Sequence, residues 1–213
     1  MGVLLMMMTV GGLIVAALLL VVSLFTKKAG LTRFTLGGVA VWFVFYGVML
    51  FGFSIASTEK TLAMNEPKEH CGFYLDCHMH TAVTGVRKTK TIGDRTANGE
   101  FHVVTVKVSS SAKAATLSLG GLKLIVVDDD GKYYPRAVEV ENPRPVFTQP
   151  VMAGASFEQD VVFDLPTDVK NPRIDMYDYP SLIEKVLIND EDSFLHKRTY
   201  FKLGEQSVAQ SVQ

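Results

Sequence analysis

Residues 69–86 read EHCGFYLDCHMHTAVTGV and hold both cysteines of the chain, Cys71 and Cys77, with three of its five histidines, His70, His78 and His80. Residues of these types support three distinct chemistries. A disulfide needs the two cysteines within reach, and the intervening GFYLD can fold back as a turn that brings them together. A copper or zinc site needs imidazole or thiolate donors on one side of the backbone. In an extended strand His78 and His80 share a face while Cys77 and Met79 take the other, so two imidazoles are available and His70 joins them only if the loop folds over. Covalent haem attachment needs two residues between the cysteines before the histidine, and five stand here, which excludes it.

The compartment decides between disulfide and thiolate, and the compartment is set by the start of the chain. Hydrophobic residues make up 48% of the sequence, with a mean hydropathy of +0.21. The excess is localised: residues 1–26 carry no charge, and neither do residues 34–57. Each run exceeds the roughly 20 apolar residues needed to cross a hydrocarbon core, and in lipid the backbone must satisfy its own hydrogen bonds as helix. Two transmembrane helices, at about 3–25 and 34–57, are therefore expected around a basic loop at 26–33. The first run has no basic start and too long an apolar core for a cleaved signal peptide. Lys27, Lys28 and Arg33 place the loop in the cytoplasm by the excess of basic residues on that side. The N-terminus and everything after Ser57 then lie outside. There oxidation is expected, and Cys71 and Cys77 are read as a structural disulfide that pins the start of the following domain.

No ionisable residue interrupts either span, so no ion or proton path is written there. Gly11, Gly12, Ala16, Gly37, Gly38 and Gly47 offer sites where the two helices could approach closely. Beyond the loop the chain carries 18 of its 21 basic residues against all 22 acidic ones. That balance, without a basic stripe, argues against a nucleic-acid surface.

Residues 58–70 read as a polar linker and 71–203 as an extracytoplasmic β-sandwich of six to eight short strands. The Val- and Thr-rich runs HMHTAVTGVRKTKTI and EFHVVTVKVSSS flank Asn98-Gly99, a turn signal. LKLIVVDDDGKYYPRAV is a hairpin in which Asp130-Gly131 suits a type I′ turn. SFEQDVVFDLP alternates, with Phe157, Gln159, Val161, Phe163 and Leu165 inward and Glu158, Asp160, Val162 and Asp164 solvated. Further strands are expected at PRIDMYDY and RTYFKL, with one helical turn near SLIEKVL. The tail at 204–213 has little to bury and is expected to be disordered.

GEFHVVTVKV, DDDGKYYPR and AGASFEQDVVFDLP together resemble bacterial membrane-anchored, lipoprotein- or surface-protein-type immunoglobulin-like domains of unknown function. The matching positions are Gly99, Phe101, Val103, Val104, Asp128, Gly131, Tyr134, Gly154, Ser156, Phe157, Val162, Phe163, Asp164 and Pro166. The resemblance implies an all-β immunoglobulin-like sandwich after the transmembrane hairpin, and it implies no catalytic residue. The overall layout also resembles subunit II of haem-copper oxidases. That family's copper site needs a closer cysteine pair and a histidine far upstream, so its function does not carry over.

Nothing else in the chain composes a catalytic site. There is no Gly-x-Ser-x-Gly, no phosphate-cradling loop and no His-Glu-x-x-His. Asp128-Asp129-Asp130 reads as a turn rather than a calcium loop, as does NDEDS at 189–193. His196 has no evident partner, and His102, in line with Val104, Val106 and Val108, reads as a rim-of-core histidine. The expected function is a non-enzymatic membrane-anchored interaction or accessory module with a protein partner and without a cofactor. The alternative is an envelope copper- or zinc-binding protein using His78 and His80, with His70.

Overall fold

The computed structural model describes residues 2–71, 77–177 and 182–204. It divides into two compact units, residues 1–58 with 180–198, and residues 59–179 with 199–213.

In the first unit the apolar runs form α1 (Gly2–Thr26) and α2 (Ala29–Ala56). Few side chains there compete for backbone hydrogen bonds, so the helical ladder closes on itself. At 1.5 Å per residue the helices are about 37 and about 42 Å long. Both are long and apolar enough to cross a membrane. The chain reverses at Lys27, which takes a left-handed φ of 54°. Ser23 locks the turn: its hydroxyl donates to the Lys28 carbonyl at 2.9 Å and meets the Thr32 hydroxyl at 2.6 Å. Farther along, Trp42 Nε1 donates to Thr9 Oγ1 at 3.0 Å. The turn is thus Lys27–Lys28, shorter than the 26–33 loop read from charge, and Arg33 lies on α2. Charge marks where lipid should stop, whereas a helix continues for as long as its ladder is satisfied. The expected glycine contacts do not join this hairpin. A Cβ added at Gly11, Gly12, Gly37, Gly38 or Gly47 would meet nothing within 4 Å.

The same unit includes residues 180–198, which begin with the short α3 (Leu182–Lys185). This segment follows the C-terminal half of α2. The Tyr46 hydroxyl donates to the Val186 carbonyl at 2.8 Å, the Ser54 and Ser193 hydroxyls meet at 3.3 Å, and Lys197 N donates to Ser57 Oγ at 2.8 Å. Gly2 abuts Ile188 so closely that an added Cβ would fall 2.0 Å from its carbonyl oxygen. The helical turn was legible in SLIEKVL; the association with the helices was not.

The second unit is an all-β sandwich of two sheets. One sheet runs in the order β1 (Lys60–Leu62), β9 (Thr199–Lys202), β8 (Arg173–Tyr177), β5 (Lys123–Val127), β6 (Tyr133–Pro135). The other runs β2 (Lys68–His70), β3 (Met79–Ile92), β4 (Arg95–Ser110), β7 (Ser156–Leu165). Among the described residues only β1 and β9 pair in parallel. Residues 58–70 are therefore more than a linker, because they supply β1 and β2, one to each sheet. Asn65, at a left-handed φ of 65°, turns the chain between them, and its N–H donates to the Val83 carbonyl at 2.8 Å.

Alternation builds the core. Val83, Val104, Val106, Val108, Val161, Phe163 and Leu165 from one sheet meet Leu124, Val126, Ile174, Met176 and Phe201 from the other. The expected solvated face of β7 has one exception. Val162 is buried with Phe101, Val103 and Ala137 in a second cluster, covered by the connection from β6. Glu141 holds that connection in place, bound by Arg136 at 2.5 and 3.0 Å and accepting Val162 N–H at 3.1 Å.

Two turn assignments change. The β3–β4 hairpin turns at Gly93–Asp94, with Gly93 at φ 59°, and Asn98-Gly99 lies inside β4 as a bulge. The Asp164 carboxylate holds the bulge, accepting Asn98 N–H at 2.8 Å and Gly99 N–H at 2.9 Å. A Cβ on Gly99 would lie 1.9 Å from the Leu165 carbonyl oxygen, so glycine is required by close approach. At the β5–β6 hairpin only Gly131 takes a positive φ, 75°, which rules out type I′. Asp128 opens that turn instead, its carbonyl accepting Gly131 N–H at 3.1 Å and its carboxylate Lys132 N–H at 2.8 Å.

Candidate functional site

The histidine-rich stretch lies where β2 pairs with β3, with Lys68 opposite Thr81, Glu69 opposite His80 and His70 opposite Met79. Residues opposite one another in an antiparallel pair share a face. Lys68, His70, Met79 and Thr81 therefore look toward the core, and Glu69 and His80 look away. His70 Nε2 meets Thr81 Oγ1 at 2.8 Å, and burial, reinforced by Lys68 and then His80, holds its pKa down at about 3. On the opposite face His80 Nε2 meets Ser111 Oγ at 2.9 Å. His78 Nδ1 approaches the same hydroxyl at 3.5 Å, and Ser111 N–H donates to the His78 carbonyl at 2.8 Å.

Cys71 and Cys77 form a disulfide with their Cα atoms 4.0 Å apart. Phe73, Tyr74 and Leu75, expected to press on the sandwich from within that loop, lie outside the described residues. This geometry corrects the copper or zinc alternative. His70 is on the face opposite His78 and His80, the two sulfurs are bonded to each other, and no group of three donor residues could hold a metal among the described residues.

Lys68 is a buried charge that the sequence reading missed, because β2 was hidden in the supposed linker. Its Nζ donates to the Met176 carbonyl at 2.7 Å and the Thr199 carbonyl at 3.3 Å, with Asp175 Oδ1 at 4.0 Å. Lys68 belongs to one sheet and those partners to the other, so the side chain ties the sheets together.

His102 stands where its spacing from Val104, Val106 and Val108 put it, buried at one end of the core and only 3% exposed. It pairs with Lys88 on β3 and Phe163 on β7. Beside it is a cavity of about 300 Å³ lined in part by Lys88, Glu100, Asn171 and Lys202. Nε2 is 3.8 Å from Glu100 Oε2, and Nδ1 has no hydrogen-bond partner among the described residues. Burial, then the nearby Lys88, lowers the pKa against the opposing pull of Glu100.

The acidic turns are similarly occupied by structure. Asp128 Oδ2 accepts the Tyr134 hydroxyl at 2.9 Å, and the Lys132 N–H bond leads the causes that hold its pKa below the usual carboxylate range. Asp190 accepts Asp192 N–H at 2.9 Å, and His196 Nδ1 lies 2.8 Å from the Lys197 carbonyl. The first carboxylate shapes the β5–β6 turn and the second the 189–193 turn.

No protein-family model and no curated protein matches the chain. Among solved structures it is similar to the secreted protein MPT63 of Mycobacterium tuberculosis, at 10% identity and a TM-score of 0.46 over 70% of this chain and 99% of that one. It is similar also to the yjhA protein of Bacillus subtilis, at 14% identity and a TM-score of 0.42 over 67% and 98% of the two chains. A conserved hypothetical protein of Bacillus anthracis shows 14% identity and a TM-score of 0.38 over 52% and 92%.

Proposed function

We propose that this chain is a non-catalytic interaction module held in a bacterial inner membrane by α1 and α2, with its β-sandwich on the extracytoplasmic side. The observation that carries the reading is the surface of the helices. Leu4, Leu18, Phe25, Phe34, Val44 and Ile55 are all more than half exposed on two helices that bear no acidic residue. A soluble protein would bury such an extent of apolar side chain, and lipid removes it from water equally well. Lys27 and Lys28 at the turn, with Arg33 one turn into α2, orient the hairpin with its turn in the cytoplasm.

The interaction role is supported by how the polar residues are used. Lys68, Asp128, Glu141 and Asp164 are engaged in sheet ties, turns and bulges rather than converging on a site. The open space at Gly11, Gly12, Gly37 and Gly38 leaves room for a further helix to approach. The finer kinship belongs to this proposal too: the sandwich is placed with the bacterial immunoglobulin-like surface domains. Gly99, Gly131, Tyr134 and Asp164, which carry that resemblance, act here in a bulge and a turn.

Extraction in mild detergent followed by identification of co-purifying chains tests the proposal. A stoichiometric membrane partner supports it. A monodisperse chain without a partner across several detergents, with the helices still intact, contradicts the interaction role.

A further inference from the structure

Residues 182–198 follow α2 in order, Val186 at Tyr46, Ser193 at Ser54 and Lys197 at Ser57. Thr9 lies beside Trp42, so seven residues farther out Gly2 lies near the level of Met49, and α2 continues past the start of α1 by roughly 10 Å. The segment fills this step: Ile188 covers Gly2, and Leu187 and Ile188 are buried. Three apolar side chains are among those it exposes, beside Asn189 and Lys197. Phe194 is 50% exposed, Leu195 66% and Val186 37%. Leu195 is also held at a φ of 67°, an unfavourable conformation for a bulky residue, with its side chain uncovered. These side chains continue the exposed apolar surface of the helices at the same level. The charges set the depth. Glu184, Lys185, Asp190, Glu191, Asp192, Lys197 and Arg198 cannot enter acyl chains, and Arg198 pairs with Asp192 at 3.5 Å.

We infer that residues 182–198 are a membrane-interface segment, with Val186 deepest, at the acyl chains of the outer leaflet, Glu184 and Lys185 beside it reaching outward, and Phe194 and Leu195, about 12 Å farther out, at the membrane surface with the charged residues. This rests on the membrane reading of α1 and α2. Its consequence is that the chain meets the membrane a second time, between β8 and β9 in sequence, after α1 and α2.

The test uses the full chain in phosphatidylcholine vesicles, where the disulfide leaves no native thiol to label. Nitroxides are attached at Val186→Cys, Phe194→Cys and Leu195→Cys, with Val44→Cys as a helix control and Tyr133→Cys as a sandwich control. Collisional access to oxygen and to a water-soluble nickel complex is measured at each. The expected result is an oxygen-to-nickel ratio severalfold above that at position 133 for all three sites, with 186 deepest. Ratios at 186, 194 and 195 equal to that at 133, while 44 is lipid-exposed, overturn the inference and leave the membrane reading standing. A water-like ratio at 44 overturns both. Because single labels can disturb local packing, a fluorophore attached at the same three sites, in protein of unchanged circular dichroism, must be quenched by brominated lipid in the same order.

Discussion

Lowering the pH through the range in which free histidine titrates should destabilise the sandwich, and His70 should carry much of the effect. In the unfolded chain His70 protonates near 6.5. In the fold it is held at about 3 by burial, with Lys68 and His80 adding positive charge nearby. The folded state therefore binds fewer protons across this window. Its stability is fully present above pH 6.5 and is lost progressively as pH falls toward 3. At 1.36 kcal/mol per unit, a difference of this size discounted for partial exposure amounts to about 2–3 kcal/mol at pH 4, a sizeable share of a domain's total. His102 is lowered as well and acts with the same sign. The assay is urea unfolding of the detergent-solubilised full chain at pH 7, 5.5 and 4, read by the β-sheet dichroism, for the native chain and for His70→Gln. Glutamine can retain a hydrogen bond to Thr81 but does not titrate. The variant should lose about 2 kcal/mol less between pH 7 and 4 than the native chain. An unchanged pH dependence in the variant would refute the reasoning, as would a His70 imidazole resonance that titrates near 6.5 in the folded protein.

Gly99→Ala should destabilise the sandwich by about 2 kcal/mol or more in the same assay, because the atom in the way is the backbone oxygen of Leu165 and cannot swing aside. Lys68→Ala removes the inter-sheet tie and the ammonium facing the buried Asp175; a loss of about 3 kcal/mol is expected, with Lys68→Met losing less because it restores the packing. Replacing Cys71 and Cys77 together by serine opens a short loop and should lower stability by about 1–3 kcal/mol without abolishing the fold. Non-reduced protein should show both thiols protected from alkylation until reductant is added.

The long, strongly patterned parts of the fold were legible. Charge-free runs gave both helices, Val- and Thr-rich composition gave β3 and β4, the Asp130-Gly131 turn signal gave β5 and β6, and alternation gave β7 and the inward position of His102; β8 and β9 stand where PRIDMYDY and RTYFKL were expected to form strands. What escaped depends on contacts between distant residues. β1 and β2 are three residues each and polar, so only their partners β9 and β3 define them. Val162 looked solvent-facing because its cover, the Ala137 connection, is remote in sequence. Asn98-Gly99 has the composition of a turn, but Gly99 answers to the backbone of Leu165, and the carboxylate of Asp164 gathers the bulge. At the candidate site the cysteine pairing was expected from an oxidising compartment, and the shared face of His78 and His80 from their spacing. That His70 faces the other way follows from the β2–β3 register, which local sequence does not encode.

The central claim is a hairpin that spans the membrane with its turn inside and its sandwich outside. Single cysteines at Lys28→Cys and Tyr133→Cys, treated with a membrane-impermeant maleimide in intact spheroplasts and again after permeabilisation, test it directly. The predicted result is immediate labelling at 133 and labelling at 28 only after permeabilisation. Labelling at 28 from outside, or protection of 133 until the membrane is opened, would contradict it.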